Sequence, residues 1–181
     1  HLNDHVLSEP CRLIALTHSP PKSGSRLSYL SGRPDVQFMT ADVSKPFAIA
    51  EDVTYLVHGS SPASPKFYMD KPIETMDANV NGLRTMLDYS LNHSVRSMLF
   101  ISAGAVYGDA PPEQIPTKEE FPGSVLCTSE RSCYSESKRY CESLCYNFHR
   151  AHGTPVKTAR PFHNYGPGLR LDDGRAVADF M

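Results

Sequence analysis

A tyrosine and a lysine four residues apart, Tyr134 and Lys138, are the residues of this chain best suited to proton transfer. They bound the stretch Tyr-Ser-Glu-Ser-Lys, and four residues make just over one helical turn, so both side chains project from the same helix face. A phenol with a pKa of about 10 is a poor base at neutral pH, and a neighbouring ammonium favours its ionised form. Such a pair can take a proton from a substrate hydroxyl. Taken alone, the spacing also describes an interfacial tyrosine beside a solvated lysine.

Composition and charge exclude several other classes of protein. The 181 residues carry 18 Lys and Arg against 20 Asp and Glu, so no basic surface indicates nucleic acid and no polybasic run indicates a membrane. The longest apolar runs, such as Met98 to Ile101, are far too short to span a bilayer. Five cysteines without a Cys-x-x-Cys pair favour a reducing cytoplasm over a disulfide scaffold. We therefore expect a cytoplasmic protein with one substantial core.

Short apolar segments recur along the chain and predict buried strands. Each is rich in aliphatic or β-branched residues and ends in polar or glycine residues. The predicted strands are Arg12 to Thr17, Val36 to Thr40, Val53 to His58, Ser97 to Ala103 and Val156 to Arg160.

Two longer segments predict helices, from Pro72 to Leu91 and from Ser132 to Ala151. In the first, apolar residues three or four positions apart predict a single apolar face. Its members are Met76, Val80, Leu83, Leu87 and Leu91. Strands separated by helices imply right-handed βαβ units and a parallel sheet. The sequence therefore predicts an α/β fold, in which ligands lie outside the carboxyl ends of the strands.

The position of the first glycine departs from that of a complete dinucleotide-binding sheet. Such a sheet begins with a strand, a glycine-rich turn and a helix whose N-terminus holds the pyrophosphate. Here the first glycine is Gly24, after a segment that matches the second strand. We therefore expect an internal piece of a longer protein, without the first strand, the glycine-rich loop and most of a C-terminal substrate domain. That piece alone is expected to bind a dinucleotide poorly.

Five stretches give the chain a family resemblance. They are Ala41-Asp42-Val43; Ser61 to Pro65 with Tyr68 and Pro72 to Thr75; Asn79 with Gly82; Phe100 to Ser102 leading to Val106 to Asp109; and Cys133 to Arg139 with Arg160 to Pro167 and Asp172 to Arg175. With these motifs the chain resembles the extended short-chain dehydrogenase/reductases that act on nucleotide sugars, the NAD-dependent epimerase/dehydratase group. Within that group it is most similar to the UDP-glucuronate decarboxylases.

This resemblance implies a Rossmann-like doubly wound parallel sheet. Residues 1–181 would form part of the dinucleotide-binding domain, and residues 162–181 would begin the substrate-binding part. The implied chemistry is hydride removal from C4 of the sugar by NAD, with Tyr134 as general base and Lys138 holding the ribose hydroxyls. In relatives the two long helices pair across a two-fold axis, so a homodimer through a helix bundle is also expected.

The resemblance assigns further residues to the cofactor and the substrate. Cofactor contacts are expected at Asp42, Val43, Ser60, Arg160 and Pro161, besides Tyr134 and Lys138. Substrate contacts are expected at Ser102, His163, Asn164 and Arg175. At the strand end where an acid selects the ribose 2′-hydroxyl, the chain has Thr17-His18. The choice between NAD and NADP therefore stays open, with NAD as the family default.

Two departures from the family pattern concern the catalytic loop. Where the family has Thr or Ser to hydrogen-bond the C4 oxygen, this chain has Ala103. Where dehydratases and decarboxylases carry an acid, it has Ala105. Ser102 lies one residue earlier and, on a strand, points to the opposite face. Dehydration that relies on the missing acid is therefore disfavoured.

Two other departures concern the substrate. Asp77 replaces a lysine of the decarboxylases, which would repel a carboxylated sugar, and His163 replaces an asparagine. Three interpretations remain: an NAD-dependent epimerase or atypical dehydratase acting on a nucleotide sugar, a true decarboxylase in which Ser102 or His163 compensates, and a non-catalytic homologue. Asp42 also has a structural alternative, as the cap of a turn.

Three cysteines lie on or beside the second long helix, at Cys133, Cys141 and Cys145. Further ligands at zinc spacing are lacking in the sequence, so we expect packing residues and no metal site.

Overall fold

The computed structural model describes residues 8–25 and 27–166 and divides the chain into two compact units after Asp42. The first unit contains two parallel strands, β1 (Leu13–Thr17) and β2 (Val36–Thr40), paired in register from end to end. A short 3-10 turn lies between them in the chain. The two predicted strands are confirmed, except that Arg12 precedes β1.

The second unit contains a three-stranded parallel sheet in the order β3-β4-β5. Its strands are β3 (Tyr55–His58), β4 (Ser97–Ile101) and β5 (Val156–Ala159). Its helices are α1 (Pro65–Asp70), α2 (Pro72–Asn92) and α3 (Ser132–His152). Because helices connect parallel strands, the α/β prediction is confirmed. Within the described part of the chain, each helix is too short or too polar to cross a membrane.

One face of the three-stranded sheet holds most of the core. Leu56, Met98 and Phe100 are buried there, together with Leu83 and Leu87 from α2. The expectation that β3 is buried on both faces is wrong, since burial alternates along the strand and Val57 is 70% exposed. Alternation is what a strand shows when only one of its faces is covered.

The predicted apolar face of α2 is correct in its middle and wrong at its ends. Leu83 and Leu87 are fully buried, whereas Met76 and Leu91 are 38% and 42% exposed. The buried face instead begins with polar residues, Thr75 and Asn79, which are 0% and 1% exposed. Periodicity in apolar residues missed them because a buried polar side chain needs a hydrogen-bond partner, which spacing alone does not identify.

Local backbone chemistry sets the ends of the helices. Pro65 and Pro72 occupy the first turns of α1 and α2, where no backbone N–H is needed. Gly153 ends α3 with a φ of 71° and donates its N–H to the carbonyl of His149. That left-handed backbone favours glycine, so the predicted end of this helix is confirmed within a residue.

The chain leaving β4 stays beside the chain leaving β5. The N–H of Ser102 donates to the carbonyl of Ala159, and the N–H of Gly104 donates to the carbonyl of Pro161. Ser102 and Ala103 therefore lie after the strand that was predicted to contain them, at the carboxyl edge of the sheet. This edge is where parallel sheets carry their functional residues.

Candidate active site

Tyr134 and Lys138 lie in the first turns of α3 and face the same region, as their spacing predicts. The Lys138 ammonium lies 5.8 Å from the centroid of the Tyr134 ring. The phenol is half-buried, whereas the lysine is only 2% exposed. The pair therefore combines a half-buried tyrosine with a buried lysine.

Lys138 connects α3 to the carboxyl end of β4. Its Nζ donates a 2.8 Å hydrogen bond to the carbonyl of Ile101 and lies 5.0 Å from the centroid of the Phe100 ring. Burial lowers the pKa of Lys138 to about 8, although Cys141 and Glu142 oppose this shift. The lysine is thus held beside the strand end by a backbone carbonyl and an aromatic face.

Tyr134 is stacked on a second tyrosine, Tyr68 of α1. The two rings have centroids 5.0 Å apart and planes inclined by 16°. The Cys133 thiol donates to the carbonyl of Tyr68 at 3.3 Å, which ties α1 to the first turn of α3. Tyr68 is one of the residues that carry the family resemblance, but nothing in the sequence spacing predicts this contact.

A buried chain of hydrogen bonds joins α2 to the turn of α3 that carries the pair. The side-chain amide of Asn79 donates to Ser137 Oγ at 2.8 Å, and Ser137 Oγ donates to the carbonyl of Tyr134 at 3.0 Å. The Cys141 thiol donates to the carbonyl of Asn79 at 3.4 Å. Asn79 thus holds the backbone of Tyr134 against α2.

The buried thiols of this helix serve packing. Burial raises the pKa of both Cys141 and Cys145 to about 12, which keeps them protonated at neutral pH. The expected packing role is confirmed, since Cys133, Cys141 and Cys145 are 7%, 0% and 2% exposed. In residues 8–25 and 27–166, the His, Cys, Asp and Glu side chains form no group of three that could hold a metal ion.

His58 at the end of β3 is a buried imidazole that the sequence analysis did not select. It is 4% exposed, and its ring stacks on Phe100 with centroids 6.0 Å apart. Burial, and then the charge of Lys138, lower the pKa of His58 to about 4, so the ring is neutral at physiological pH. A polar residue closing an apolar strand was the signal that could have identified it.

Gly82 of α2 leaves room for this imidazole. A Cβ at position 82 would lie 3.2 Å from Cε1 of His58 and 3.2 Å from Cβ of Val43. Both contacts are tighter than ordinary van der Waals packing. The glycine that follows Asn79 in the family motif therefore serves close approach of α2 to the sheet.

The residues after β4 differ from the prediction in one respect. Ser102 and Ala103 were expected on opposite faces of a strand, but both follow β4 and both are buried, at 2% and 9% exposure. Ser102 Oγ has no hydrogen-bond partner among the described residues. Ala103 and Ala105 add no polar side-chain atom, and the Phe162 ring occupies the space that a side chain at Gly104 would need.

Arg160, predicted to contact a cofactor, lies in an ionic network. Its guanidinium forms a bidentate pair with Glu142, with a shortest distance of 2.6 Å. It also donates to Tyr107 Oη and to the carbonyl of Glu119, both at 2.8 Å. The hydrogen bonds to Glu142 raise the pKa of Arg160 above its usual value. The Arg160 side chain thus binds other residues of the protein. A cofactor contact at this position would therefore involve the backbone of Arg160 and Pro161 at the sheet edge.

A cavity of about 790 Å³ lies beside this network, between α3 and β5. Glu142, Tyr146, Thr158 and Arg160 are among its lining residues, whereas Tyr134 and Lys138 are not. This cavity is therefore separate from the Tyr134–Lys138 pair.

The structure places the other predicted site residues individually. Ser60 is half-buried after β3, and Asp42 and Val43 are half-buried in the first and second units. His163 and Asn164 are exposed after β5, with His163 at a φ of 38°. Asp77 is exposed on α2. Arg175 lies outside the described residues.

Comparison with known proteins identifies the family of the chain. The model of the NAD dependent epimerase/dehydratase family matches residues 1–181. The chain belongs to this family. UDP-glucuronic acid decarboxylase 5 of Arabidopsis thaliana is 36% identical over all of the chain, which spans 52% of that relative. UDP-glucuronic acid decarboxylase 1 of Xenopus tropicalis is 33% identical, and the chain spans 42% of its length. The chain therefore spans about half the length of the curated relatives it matches.

Solved structures of two epimerases share the fold of this chain. A UDP-N-acetylglucosamine 4-epimerase from Methanobrevibacter ruminantium superposes with a TM-score of 0.80 at 20% identity, covering 99% of this chain and 55% of the other. A UDP-glucuronic acid 4-epimerase from Bacillus cereus, solved in complex with NAD, gives a TM-score of 0.70 at 20% identity, covering 89% and 51%. The expected Rossmann-like fold is confirmed.

Proposed function

We propose that this chain supplies the proton-transfer residues of an NAD-dependent nucleotide-sugar enzyme that works through 4-oxidation of the sugar, as an epimerase or a dehydratase. The observation that carries this proposal is the Lys138 ammonium, buried at the carboxyl end of β4 and 5.8 Å from the Tyr134 ring. A buried ammonium beside a half-buried phenol favours the phenolate form of that phenol.

The described residues fit the ribose side of a dinucleotide. An ammonium has three hydrogen-bond donors, and the described bond of Lys138 to Ile101 uses one of them, so ribose hydroxyls are suitable further partners. Ser61 and Ser102 have buried hydroxyls without partners among the described residues. We assign Ser60, Val43 and the Arg160–Pro161 backbone to the same cofactor and Asp42 to its adenine end. NADP could replace NAD in this reaction, since Thr17-His18 supplies no acid that would select the ribose 2′-hydroxyl of NAD.

The mechanism follows from the two side chains. The Tyr134 phenolate accepts the proton of the sugar 4-hydroxyl, while Lys138 stabilises the phenolate by its charge. NAD, when bound, would accept the hydride from C4, the carbon that carries this hydroxyl. The Asn79–Ser137 hydrogen bonds hold the backbone of Tyr134 in place through this step. When the ketone is reduced, the phenol of Tyr134 returns the proton.

A decarboxylase is the second candidate, favoured by the 36% identity with a UDP-glucuronic acid decarboxylase. The exposed Asp77 and the apolar side chains of Ala103 and Ala105 argue against it, since a carboxylated sugar gains from a cation and an acid there. Ser102, His163, Asn164 and Arg175 are the proposed substrate contacts in either case. Loss of the polar groups at positions 103 and 105 also favours a non-catalytic homologue.

One experiment separates the three candidates. The complete protein is incubated with UDP-, dTDP- and CDP-sugars, and the products are identified by mass spectrometry and NMR. An epimer or a 4-keto-6-deoxy sugar supports the proposal. Carbon dioxide from UDP-glucuronate identifies a decarboxylase. A protein whose bound NAD none of these sugars reduces would be a non-catalytic homologue.

We also propose a cytoplasmic homodimer formed through α2 and α3. Large apolar side chains are exposed on both helices, with Ile73 at 65%, Met76 at 38% and Tyr140 at 54%. Exposed apolar surface on two neighbouring helices is typical of an interface. Among the described residues, Cys127, Cys133, Cys141 and Cys145 form no disulfide, which supports a reducing compartment.

A further inference from the structure

We propose that Tyr68 is a positioning residue for Tyr134, its ring fixing the plane in which the Tyr134 phenol lies beside the Lys138 ammonium. This inference rests on the proposed function and extends it to a residue of α1. Tyr68 acts through Tyr134 and is not itself assigned a proton-transfer step.

The geometry of the two rings is that of an attractive aromatic pair. The centroid distance of 5.0 Å falls in the range of about 4.5–7 Å for aromatic pairs, and the inclination of 16° makes the two rings nearly parallel. Tyr68 is 6% exposed, whereas its neighbour Phe67 is 41% exposed. Of these two adjacent aromatic rings, α1 buries the one that stacks on Tyr134.

The backbone of α1 is held so that this ring has a defined position. The Cys133 thiol donates to the carbonyl of Tyr68, and Cys133 immediately precedes Tyr134 in the chain. At the other end of α1, the N–H of Lys71 donates to the carbonyl of Phe67, and the next residue begins α2. The backbone of Tyr68 is therefore bonded to the start of α3, and α1 continues directly into α2.

Fixing the Tyr134 side chain matters because its hydroxyl moves when the ring swings about the first side-chain torsion. The Tyr134 side chain projects from the first turn of α3, and Tyr68 covers one face of its ring. Lys138 lies 5.8 Å from the same ring. Rotation about the first side-chain torsion would therefore break the stacking and also change the distance between the hydroxyl and the ammonium. A small misplacement of a reacting group costs a large factor in rate.

The titratable groups around the pair come from three elements. Lys138 and Cys133 belong to α3, His58 belongs to β3 and interacts electrostatically with Lys138, and Tyr68 belongs to α1. Of these, Lys138 has a charge that depends on pH near neutrality, since its pKa is about 8 and that of His58 about 4. His58 therefore stays neutral throughout the titration of Tyr134, so a shift in that ionisation on changing Tyr68 reports the interaction of the phenol with Lys138.

The test compares three variants of the complete protein with its identified sugar. Tyr68→Leu keeps an apolar side chain but removes the ring, and we expect kcat to fall about tenfold or more while KM changes less than about threefold. Tyr68→Phe keeps the ring and is expected to retain kcat within about twofold. Phe67→Leu removes the neighbouring exposed ring and is the matched control. Wild-type kcat in Tyr68→Leu, or equal losses in the Leu and Phe variants, would overturn the proposal.

A second measurement does not depend on turnover. Tyrosinate absorbance is followed against pH in wild type and in Tyr134→Phe, and their difference isolates the ionisation of Tyr134. In the Tyr68→Leu background the same difference is expected to move to higher pH, because the phenol is no longer held near the ammonium. An unchanged midpoint would contradict the positioning role even in an active enzyme. If Tyr68→Leu does not fold, as judged by circular dichroism, Tyr68→Met takes its place.

The two measurements also separate this inference from the proposed function. A protein inactive on every sugar, or fully active as Tyr134→Phe, refutes the function but leaves the absorbance titration as a test of the contact. An active protein that needs Tyr134 but is indifferent to the ring at position 68 refutes only the positioning role.

Discussion

At the scale of single residues, the candidate site combines a half-buried phenol with a lysine that burial has made less basic. Lys138 has a pKa of about 8 and one described hydrogen bond, to a carbonyl that carries no formal charge. Its charge is therefore not neutralised by a bound carboxylate and remains available to the Tyr134 phenol. Glu142 also acts electrostatically on Lys138, but its ion pair is with Arg160.

Tyr134→Phe removes the proposed base while keeping the stacked ring. We expect turnover to fall by about 10²- to 10⁴-fold, the usual contribution of a positioned general base, with the thermal transition unchanged. The measurement is steady-state kinetics of the complete protein together with a melting curve. Tyr140→Phe removes a hydroxyl from an exposed tyrosine of the same helix and is the control. Full activity in Tyr134→Phe would remove the base assignment.

His58 gives a pH-dependent prediction of stability. Its pKa is about 4 in the folded protein and 6.5 when unperturbed, so the unfolded chain takes up the proton first as pH falls. The stability contributed by the neutral ring is complete above pH 6.5 and is lost towards pH 4, with about 2 kcal/mol lost at pH 5. Urea unfolding between pH 7 and pH 4.5 measures this slope.

The control for this pH dependence is a pair of variants. His58→Gln is expected to unfold with a shallower loss of stability on acidification, because the titrating group is absent. His18→Gln removes an exposed imidazole and is expected to follow the wild-type slope. Parallel curves for wild type and His58→Gln would show that the buried imidazole does not resist protonation.

At this scale the sequence predicted the Tyr134–Lys138 pair, because both residues lie within one helix. Tyr134 and Lys138 are close in the chain, so helical periodicity determines that their side chains share a face. The partners Tyr68 and His58 come from other elements, and only the packing of α1 and β3 against α3 brings them near. Local spacing contains no information on such contacts.

At the scale of elements, the predicted strands and long helices occur within a few residues of their expected limits. They were predictable because apolar periodicity and glycine or proline at the ends are local signals. One error fell on α2, where Met76 and Leu91 are exposed and Thr75 and Asn79 are buried. A buried hydrogen bond between Asn79 and Ser137 outweighed the simple apolar pattern.

Two glycines with left-handed backbone offer a test of how the elements are joined. Gly108 has a φ of 61°, and a Cβ there would collide with the backbone of Ser124, whereas Gly153 has a φ of 71° and open space around it. Gly153→Ala should cost about 1–2 kcal/mol, the strain of a left-handed residue. Gly108→Ala should cost clearly more, because the strand-like bridge to Ser124 must also separate.

Chemical denaturation of the two glycine variants measures this difference directly. Each free energy of unfolding is compared with that of wild type under the same conditions. Equal losses for Gly108→Ala and Gly153→Ala would mean that the loop after β4 yields without cost. The loop would then not hold the carboxyl end of β4 in place.

At the scale of the whole molecule, the chain holds the Tyr134–Lys138 pair but spans about half the length of its curated relatives. The pair and its supports all belong to the second unit, on α1, α2, α3 and the ends of β3 and β4. Composition and charge predicted a folded domain with a substantial core, but they did not predict which sugar the complete protein binds. Of the proposed substrate contacts, Ser102 is buried after β4, His163 and Asn164 are exposed after β5, and Arg175 lies outside the described residues.

The proposed homodimer gives a prediction at this same scale. Met76→Glu places a charge among the exposed apolar side chains of α2 and α3, and burying that charge in an interface without a partner is costly. We expect the complete protein to sediment as a dimer and Met76→Glu to sediment mainly as a monomer at the same concentration. Leu126→Glu adds the same charge at a 67% exposed site in the loop before α3, and it should remain dimeric. A dimeric Met76→Glu would place the interface on another surface, since one pair of buried carboxylates across a two-fold axis would also repel each other.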